Sequence, residues 1–330
     1  MLISHLDGTR GFPTWFSSLG DTGNLGVRIF FVISGFLITT LLLKEFDKTG
    51  RISLRTFYLR RMFRIFPAFY VFALVIAVCQ FAGWIRLLPG DLLHGLTYTM
   101  NYHFPHGWFM AHIWSLSVEE QFYILWPATL LLCGPRRGLW VSGAAIVIVP
   151  LLRIGTWWFF PNHGGGAEEF HTVCDAIATG CVLAGVFNLM GRCEPYLRFI
   201  RSARFAIVPA VAILMYAAQR STRFYSLAGI SILNICIALI IDRYTRYPGT
   251  FLGRVLNWAP IRYIGLLSYS FYSWQQPFLN RHSDGMSASF PLNLALVVLC
   301  SLASYYIVEQ PVREYGHRLL TRKRSVAATA

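Results

Sequence analysis

Long apolar stretches separated by short polar segments dominate the chain. A helix rises about 1.5 Å per residue, so a bilayer core of about 30 Å requires roughly 20 mainly apolar residues. We therefore predict an all-α, polytopic helical membrane protein with about nine full membrane helices. Their approximate positions are 25–43, 63–83, 113–133, 139–160, 172–190, 205–219, 225–242, 262–280 and 291–309.

Two further segments are too short to cross a membrane. Residues 91–101 carry His94 and Asn101, and we interpret them as a re-entrant or interfacial segment on the outer side. Only residues 1–6 could belong to a helix before the Gly-, Pro- and Ser-containing stretch that follows. The pattern thus predicts a truncated first helix.

The composition agrees with a membrane protein. Of the 330 residues, 55% are hydrophobic and 13% are charged, whereas about a quarter of the residues in a soluble domain are charged. We expect one transmembrane domain over residues 1–317, with no second soluble domain. Residues 318–330 form a basic tail that we expect to be disordered.

The net charge of +14 is distributed unevenly. Basic residues concentrate in the loops 44–62, 134–138, 191–204 and 243–261, whereas 161–171 contains no Lys or Arg. Short basic loops stay in the cytoplasm, which also places the C-terminus there. The lipid bilayer explains this charge better than a nucleic-acid partner does.

The cysteines carry no recognisable chemistry. There is no CxxC pair and no Cys/His spacing suited to zinc, so we expect no metal and no bound redox cofactor. We interpret the cysteines as small packing residues. They are Cys79, Cys133, Cys174, Cys181, Cys193, Cys236 and Cys300.

Three arginines stand next to the second apolar segment. Arg60 and Arg64 are one turn apart, so in a helix they share a face, with Arg61 beside them. Guanidinium groups bind phosphate through paired hydrogen bonds, so the cluster could hold a phosphorylated ligand at the membrane surface. The alternative is anchoring to lipid phosphates, which the residue types alone favour.

Polar residues also occur inside the apolar segments. An ionised side chain there costs about 3 kcal/mol or more, so Glu119, Glu120 and Asp175 should face a cavity or a partner. For Glu119 and Glu120, the alternative to a functional role is a structural pairing with an arginine. For Asp175, the alternative is a role in helix packing. Ser34 and Gly35 favour either close packing of two helices or the passage of a thin ligand arm.

Four motifs carry a family resemblance. They are GVRIFFVISGFLIT with ISLRTFYLRRMFRIFPA, then HIWSLSVEEQFYILWP, SYSFYSW and YYIVEQP, in this order and over nearly the whole chain. They are similar to the acyltransferase-3 family of integral membrane O-acyltransferases. The resemblance implies transfer of an acyl group, with acetyl expected, from acyl-CoA to a hydroxyl of a carbohydrate or glycolipid acceptor. Lipopolysaccharide, exopolysaccharide and peptidoglycan are expected acceptors, in a bacterial cytoplasmic (inner) membrane.

The resemblance also implies three groups of site residues. The expected catalytic residues are His5, Glu119 and Glu120. The expected donor-binding residues, for the acyl-CoA phosphates and pantetheine arm, are Arg60, Arg61, Arg64, Ser34 and Gly35. The expected substrate-binding residues are Trp114, Ser115 and Asp175. Histidine suits proton acceptance because its ordinary pKa of about 6.5 lies near working pH.

The chain departs from the family pattern in three places. The Arg that usually precedes the catalytic histidine is absent before His5, Arg28 stands where many relatives have Asp, and Gln275 stands where many have His. The alignment of His5 assumes that the chain starts late in the first helix. A rival alignment matches residues 6–11 to LDGLRG, but it requires a helix within 12–22, which Gly, Pro and Ser disfavour.

The remaining histidines cluster on the outer side in this topology, and we interpret most of them as solvated or interfacial. His103 and His106 are the best candidates among them for contact with an acceptor sugar. Two other functions stay open. One is a transporter or flippase of an acylated or glycan lipid that uses the same charged residues. The other is an inactive family member that has lost its first helix.

Overall fold

The computed structural model describes residues 1–13, 15, 22–160, 168–220 and 224–329. These residues form α-helices, short 3-10 and π-helical turns and loops, and no strand occurs among them, which confirms the all-α prediction. The α-helices are α1 (Leu2–Leu6), α2 (Gly23–Thr49), α3 (Leu54–Phe81), α4 (Asp91–Leu96), α5 (Trp108–Ala111), α6 (Ile113–Cys133), α7 (Pro135–Phe159), α8 (Phe170–Met190), α9 (Glu194–Arg201), α10 (Ile207–Ala217), α11 (Ile230–Arg246), α12 (Phe251–Leu256), α13 (Ala259–Leu266), α14 (Ser268–Phe278), α15 (Leu292–Ala303) and α16 (Gln310–Thr329).

Six helical segments in the described ranges are long and apolar enough to cross a membrane, so the predicted count of about nine is not confirmed. A seventh candidate joins Glu194–Arg201 to Ala203–Ala217, with a bend of 69° between them. The six are Gly23–Thr49, Leu54–Phe81, Pro135–Phe159, Phe170–Met190, Tyr225–Arg246 and Leu292–Leu320.

The two other predicted spans fail for different reasons. Helix α6 spans the predicted residues 113–133, but Glu119 and Glu120 in its middle lower its mean hydropathy. The predicted span 262–280 is broken at Leu267, and neither α13 nor α14 is long enough to cross alone.

Two other predictions concern shorter stretches. Helix α4 has only six residues, which confirms that the region around 91–101 is too short to cross. The tail expected to be disordered after Arg318 instead continues α16 as far as Thr329. Its Arg, Lys, Leu and Ala residues are good helix formers, which explains the difference. Most of the predicted outer loop 161–171 lies outside the described residues.

The backbone contacts divide the chain into two compact units, each built from separated stretches. Unit 1 comprises Met1–Gly23, Ser53–Ile113 and Arg262–Ala330, and unit 2 comprises Asn24–Ile52 and Trp114–Ile261. The domain boundary predicted at residue 317 stays a prediction.

In unit 1, α14 packs against α1, α3, α5 and α15. The contact with α1 is apolar: Leu6, Leu279 and Val297 are buried together, and Leu2, Phe271 and Phe278 are among the side chains packed around them. This small core fixes the end of α1, and with it His5, against α14 and α15.

In unit 2, α2 crosses α8 at two glycines. A Cβ atom at Gly35 would meet the Ile177 carbonyl, and one at Gly180 would meet the Val32 carbonyl. Only glycine fits both positions, which lets the two backbones approach closely. The predicted close approach at Gly35 is therefore confirmed for helix packing. Helix α8 also packs on α7 and α11.

Candidate active site

A buried carboxylate organises the loop that leads to α5 in unit 1. Asp91 is fully buried, and its carboxylate accepts hydrogen bonds from the backbone N–H of Leu88 (2.8 Å) and of Gly107 (3.1 Å). A Cβ at Gly107 would lie 2.6 Å from this carboxylate, so glycine is required there. Because Gly107 immediately precedes α5, Asp91 fixes the position of Trp108.

The histidines of this loop contact Asp91 and each other. The His103 Nε2 atom lies 3.2 Å from the Asp91 carboxylate, and the His103 ring stacks on His94 at 4.4 Å. His106 contacts Phe104 at 5.2 Å between ring centres. The predicted contact of His103 or His106 with an acceptor sugar stays a prediction.

Trp108 is the centre of an aromatic cluster around His5. The His5 ring lies edge-on to the indole at 5.7 Å, and His282 contacts the same indole at 5.2 Å. The indole Nε1 donates to the Gln276 carbonyl at 2.9 Å, which satisfies a carbonyl at the C-terminal end of α14. Trp108 therefore connects α1 to α14. Its signal in the sequence is a Trp directly after a glycine-containing loop.

Arg281 supplies the positive charge of this cluster. Its guanidinium carbon lies 5.8 Å from the centre of the Trp108 indole, and its Nη2 donates to the Ser4 carbonyl at 3.0 Å. Sequence reasoning did not identify Arg281, because a lone arginine after an apolar segment is typical of a membrane boundary.

His112 is buried beside this cluster, so it is not one of the solvated or interfacial histidines. It is only 4% exposed, and its ring contacts Phe72 at 5.6 Å and Tyr272 at 5.2 Å. It lies close enough to His5 for the two rings to interact electrostatically. Its position at the start of the HIWSLSVEEQFY motif was the available signal.

The surroundings of His5 favour the neutral imidazole. Burial, the Arg281 guanidinium and the N-terminal amino group lower the pKa of His5 from 6.5 to about 4. Within the described residues, its buried Nδ1 atom has no hydrogen-bond partner. Helix α1 has five residues and is not itself a spanning segment. A neutral ring can accept a proton near neutral pH.

The three predicted donor-binding arginines lie near the start of α3, which Ser53 caps by accepting a hydrogen bond from the Thr56 N–H. Arg60 and Arg64 are exposed, and the partly buried Arg61 lies 5.9 Å from the Phe57 ring centre. The predicted helical arrangement of these arginines is confirmed. Their contact with a donor stays a prediction.

Glu309 stands near this arginine group. It is 3% exposed, accepts a hydrogen bond from Ser270 at 3.0 Å, and lies within electrostatic reach of Arg313 and Arg64. The structure places Arg64 on α3 and Arg313 on α16 nearby.

Contacts along α3 relate the arginine group to His112. Tyr269 donates to the Ile65 carbonyl at 2.9 Å, next to Arg64. Seven residues further along α3 and five further along α14, Phe72 contacts Trp274 at 5.6 Å and also contacts His112. Seven residues of an α-helix correspond to about 10 Å. His112, which lies beside His5, is therefore about 10 Å along α3 from Ile65 and the neighbouring Arg64.

In unit 2, the predicted Ser34 and Glu119 belong to one polar cluster. The Ser34 hydroxyl contacts the Tyr123 hydroxyl at 2.7 Å, and both hydroxyls donate to the Glu119 carboxylate. Glu119 and Glu120 are 2% and 6% exposed. Their predicted roles beside His5, and that of Ser34 in donor binding, stay predictions.

Asp175 forms a buried ion pair in unit 2. Its carboxylate lies 2.8 Å from Arg153 Nη2, and Arg153 also donates to the carbonyls of Thr172 and Ser226, each at 2.8 Å. Arg28 is within electrostatic reach of this pair. The pair joins α7 to α8, which is a helix-packing role for Asp175, while its role in substrate binding stays a prediction. Arg153 was not identified from the sequence, although a charged residue in the middle of an apolar segment was the available signal.

Two predicted substrate-binding residues lie at the start of α6 in the same unit. Trp114 is partly buried and contacts Phe31 edge-on at 6.2 Å. Ser115 is 3% exposed. These contacts anchor α6 to α2, and the role of both residues in substrate binding stays a prediction.

The fold and this site define a polytopic helical membrane protein in which one unit holds both the partly buried His5 and the arginine group of α3. The family model described as an acyltransferase domain matches residues 1–309. The chain belongs to this acyltransferase-3 family, as its four motifs predicted.

The chain also matches curated relatives over part of their length. The chain is 27% identical to the "Putative peptidoglycan O-acetyltransferase YrhL" of Bacillus subtilis, over 97% of this chain and 56% of the relative. It is also 27% identical to the "Peptidoglycan O-acetyltransferase OatA" of Listeria monocytogenes, over 89% of this chain and 52% of the relative. The chain thus spans about half the length of these relatives. No solved structure matches it.

Proposed function

We propose that the protein is a membrane O-acyltransferase that moves an acyl group, acetyl in particular, from acyl-CoA to a hydroxyl of a cell-envelope glycan. The observation that carries the proposal is the arrangement within unit 1. A neutral, partly buried His5 lies in the same unit as three arginines, and His112 beside it lies about two helical turns beyond Arg64 along α3.

The arginine group suits the donor. Arg60 and Arg64 are exposed on one face of α3, and their guanidinium groups can each form two hydrogen bonds to a phosphate oxygen pair. The donor's phosphates would bind here, and its pantetheine arm would extend toward His5. The acyl group then reaches the histidine while the nucleotide stays at the membrane surface.

His5 suits the proton transfer. The neutral imidazole takes the proton of the acceptor hydroxyl while the hydroxyl oxygen attacks the thioester carbonyl carbon. A C–O bond forms, the C–S bond breaks, and the proton passes to the departing thiolate, which yields an ester and free CoA. A brief acyl-histidine intermediate is the alternative route, since both routes need an unprotonated His5.

The names of the relatives support the proposed class of acceptor. Two are named as peptidoglycan O-acetyltransferases, one of them with "Putative" in its name, and this supports a glycan of the bacterial envelope as the acceptor. The protein would then be a multi-pass protein of the cytoplasmic membrane. The basic loops support a cytoplasmic C-terminus, on the same side as Arg64.

The test is transfer of labelled acetyl from acetyl-CoA to glycan in membranes that contain the protein. We expect His5→Ala to lower the turnover at least about 100-fold. We expect Arg64→Ala to raise the KM for acetyl-CoA about tenfold, because a charge-assisted hydrogen bond to phosphate is lost. Unchanged transfer in both variants would rule the proposal out.

Arg55→Ala is the matched control for Arg64→Ala. Arg55 is also exposed on α3, but nine residues before Arg64, which places it on the opposite face of the helix. Its loss should leave the KM for acetyl-CoA unchanged. An equal rise for both variants would indicate a general effect of surface charge and would contradict a specific donor site.

A further inference from the structure

We propose that the Gln275 carboxamide binds a hydroxyl group of a neutral carbohydrate acceptor beside His5. This inference rests on the proposed function, because it names the residue that holds the acceptor for the same reaction. Gln275 lies on α14, in unit 1.

Gln275 is buried without hydrogen bonds. It is 0% exposed, and neither its Nε2 nor its Oε1 atom has a hydrogen-bond partner among the residues that the structure describes. Buried amides are nearly always paired, because an unpaired one loses its bonds to water without compensation. Asn234 of unit 2 is also buried with both amide atoms unpaired, so missing bonds alone do not identify a site. What distinguishes Gln275 is that its helix packs against α1, which carries His5.

The helix geometry directs this amide toward α1. Phe271 and Phe278 pack against the buried cluster of Leu6, Leu279 and Val297, in which Leu6 belongs to α1. Gln275 is one turn after Phe271 and one turn before Phe278, so it lies on the same face of α14. Since His5 directly precedes Leu6, Gln275 faces the end of α1 that carries His5.

A second unpaired polar group faces the same place. On α15, Leu294 and Val297 pack in the Leu6 cluster, and Ser301 lies one turn beyond Val297 on that face. Ser301 is 0% exposed, and its hydroxyl also lacks a hydrogen-bond partner in the described part of the chain. With His5 Nδ1, three unpaired polar groups thus belong to α1, α14 and α15, the helices that form the Leu6 cluster.

The chemistry of these groups selects the ligand. A carboxamide both donates and accepts hydrogen bonds, a hydroxyl does the same, and a neutral imidazole accepts one. None of the three carries a charge, so they match hydroxyl groups. The nearby Arg281 guanidinium already donates to the Ser4 carbonyl and lies over the Trp108 indole. The Trp108 indole beside His5 adds an aromatic surface. A neutral sugar, which carries hydroxyl groups on an apolar ring, fits this combination.

The test replaces Gln275 by methionine, which has nearly the same shape and no hydrogen-bonding group. In membranes assayed for acetyl transfer, we expect Gln275→Met to raise the KM for the glycan acceptor about tenfold, as for one lost hydrogen bond. The KM for acetyl-CoA should not change. The purified variant should also melt at a higher temperature than wild type, because an unpaired buried amide has been removed.

The stability readout separates a ligand role from a structural one. If Gln275 stabilised the fold, Gln275→Met would lower the melting temperature, and this result would overturn the inference. The matched control is Gln310→Met, because the Gln310 amide donates to Glu314 at 2.9 Å on α16. The control should leave both KM values unchanged, and a KM change of the same size would also overturn the inference.

The outcomes distinguish this inference from the proposed function. If wild type transfers acetyl and Gln275→Met leaves the acceptor KM unchanged, the inference fails while the proposed function stands. If wild type transfers no acetyl to any glycan, both fail. Gln275→Glu serves as a second variant, since it keeps an acceptor oxygen at the same position and should restore part of the acceptor affinity.

Discussion

The buried polar groups that the proposal uses in unit 1 differ from the paired groups of unit 2. In unit 2, Asp175 binds Arg153, and the carboxylate of Glu119 accepts hydrogen bonds from Ser34 and Tyr123. In unit 1, His5 Nδ1 and the Gln275 amide have no partner within the described residues. Unit 2 also contains an unpaired buried amide, Asn234, so missing hydrogen bonds alone do not identify a site. The proposed chemistry is assigned to unit 1 because His5 and the arginine group both belong to that unit.

Breaking the Arg153–Asp175 pair should give the largest change in stability. Arg153 is 5% exposed, and Arg153→Leu leaves the buried Asp175 carboxylate without its partner. We expect the free energy of unfolding to fall by about 3–5 kcal/mol, measured by reversible denaturation in detergent. The double change Arg153→Leu with Asp175→Leu should recover most of this loss, because no unpaired charge remains.

The control for this prediction is an exposed ion pair. Arg318 lies 4.0 Å from Glu314, and its side chain is 82% exposed. Arg318→Leu should change the free energy of unfolding by less than about 1 kcal/mol. An equal loss for Arg153→Leu and Arg318→Leu would show that burial of the unit 2 pair is not what stabilises it.

Glycine packing in unit 2 should give the next largest effect. Gly35→Ala forces a methyl group against the Ile177 carbonyl, and we expect a loss of about 1–3 kcal/mol in unfolding free energy. In α7, a Cβ at Gly143 meets no atom within 4 Å among the described residues. Gly143→Ala should therefore be neutral or slightly stabilising. The same loss at both glycines would contradict the close crossing of α2 and α8.

The smallest expected effect concerns pH. With the pKa of His5 near 4, the ring is unprotonated at neutral pH, and the transfer rate should fall only as the pH drops toward 4. Arg281→Gln removes a positive charge beside His5, so protonated His5 becomes less unfavourable and its pKa rises. The acidic limb of kcat/KM for transfer should shift to higher pH.

A recovery control belongs with the pH profile. Each sample is returned to neutral pH after acid exposure, and full recovery of transfer shows that the limb reports titration rather than unfolding. An acidic limb that stays at the same pH in Arg281→Gln would mean that Arg281 does not act on the titrating group.

The sequence predicted the features that depend on residue type and on the spacing of residues along the chain. The apolar segments fix the helical class, and the single-turn spacing of Arg60 and Arg64 fixes their common face on α3. The four motifs identify the family. These signals are local, so they can be recognised without knowledge of the tertiary contacts.

The rest depends on contacts between distant parts of the chain. The polarity of Glu119 and Glu120 removes α6 from the candidate spans, although its helix has the predicted bounds. Trp108 and Arg281 become recognisable only where α1, α5 and α14 meet. His112 resembles a loop histidine in sequence, yet Phe72 and Tyr272 enclose it. No local pattern reports such burial.

The most direct test of the division between the two units is a combined measurement on His5→Gln, with acetyl transfer and melting temperature determined on one purified preparation. We predict a fall in turnover of at least about 100-fold, because the proton acceptor is lost, with a melting temperature equal to or above that of wild type. Unchanged turnover, or a loss of turnover in proportion to a loss of stability, would contradict the account.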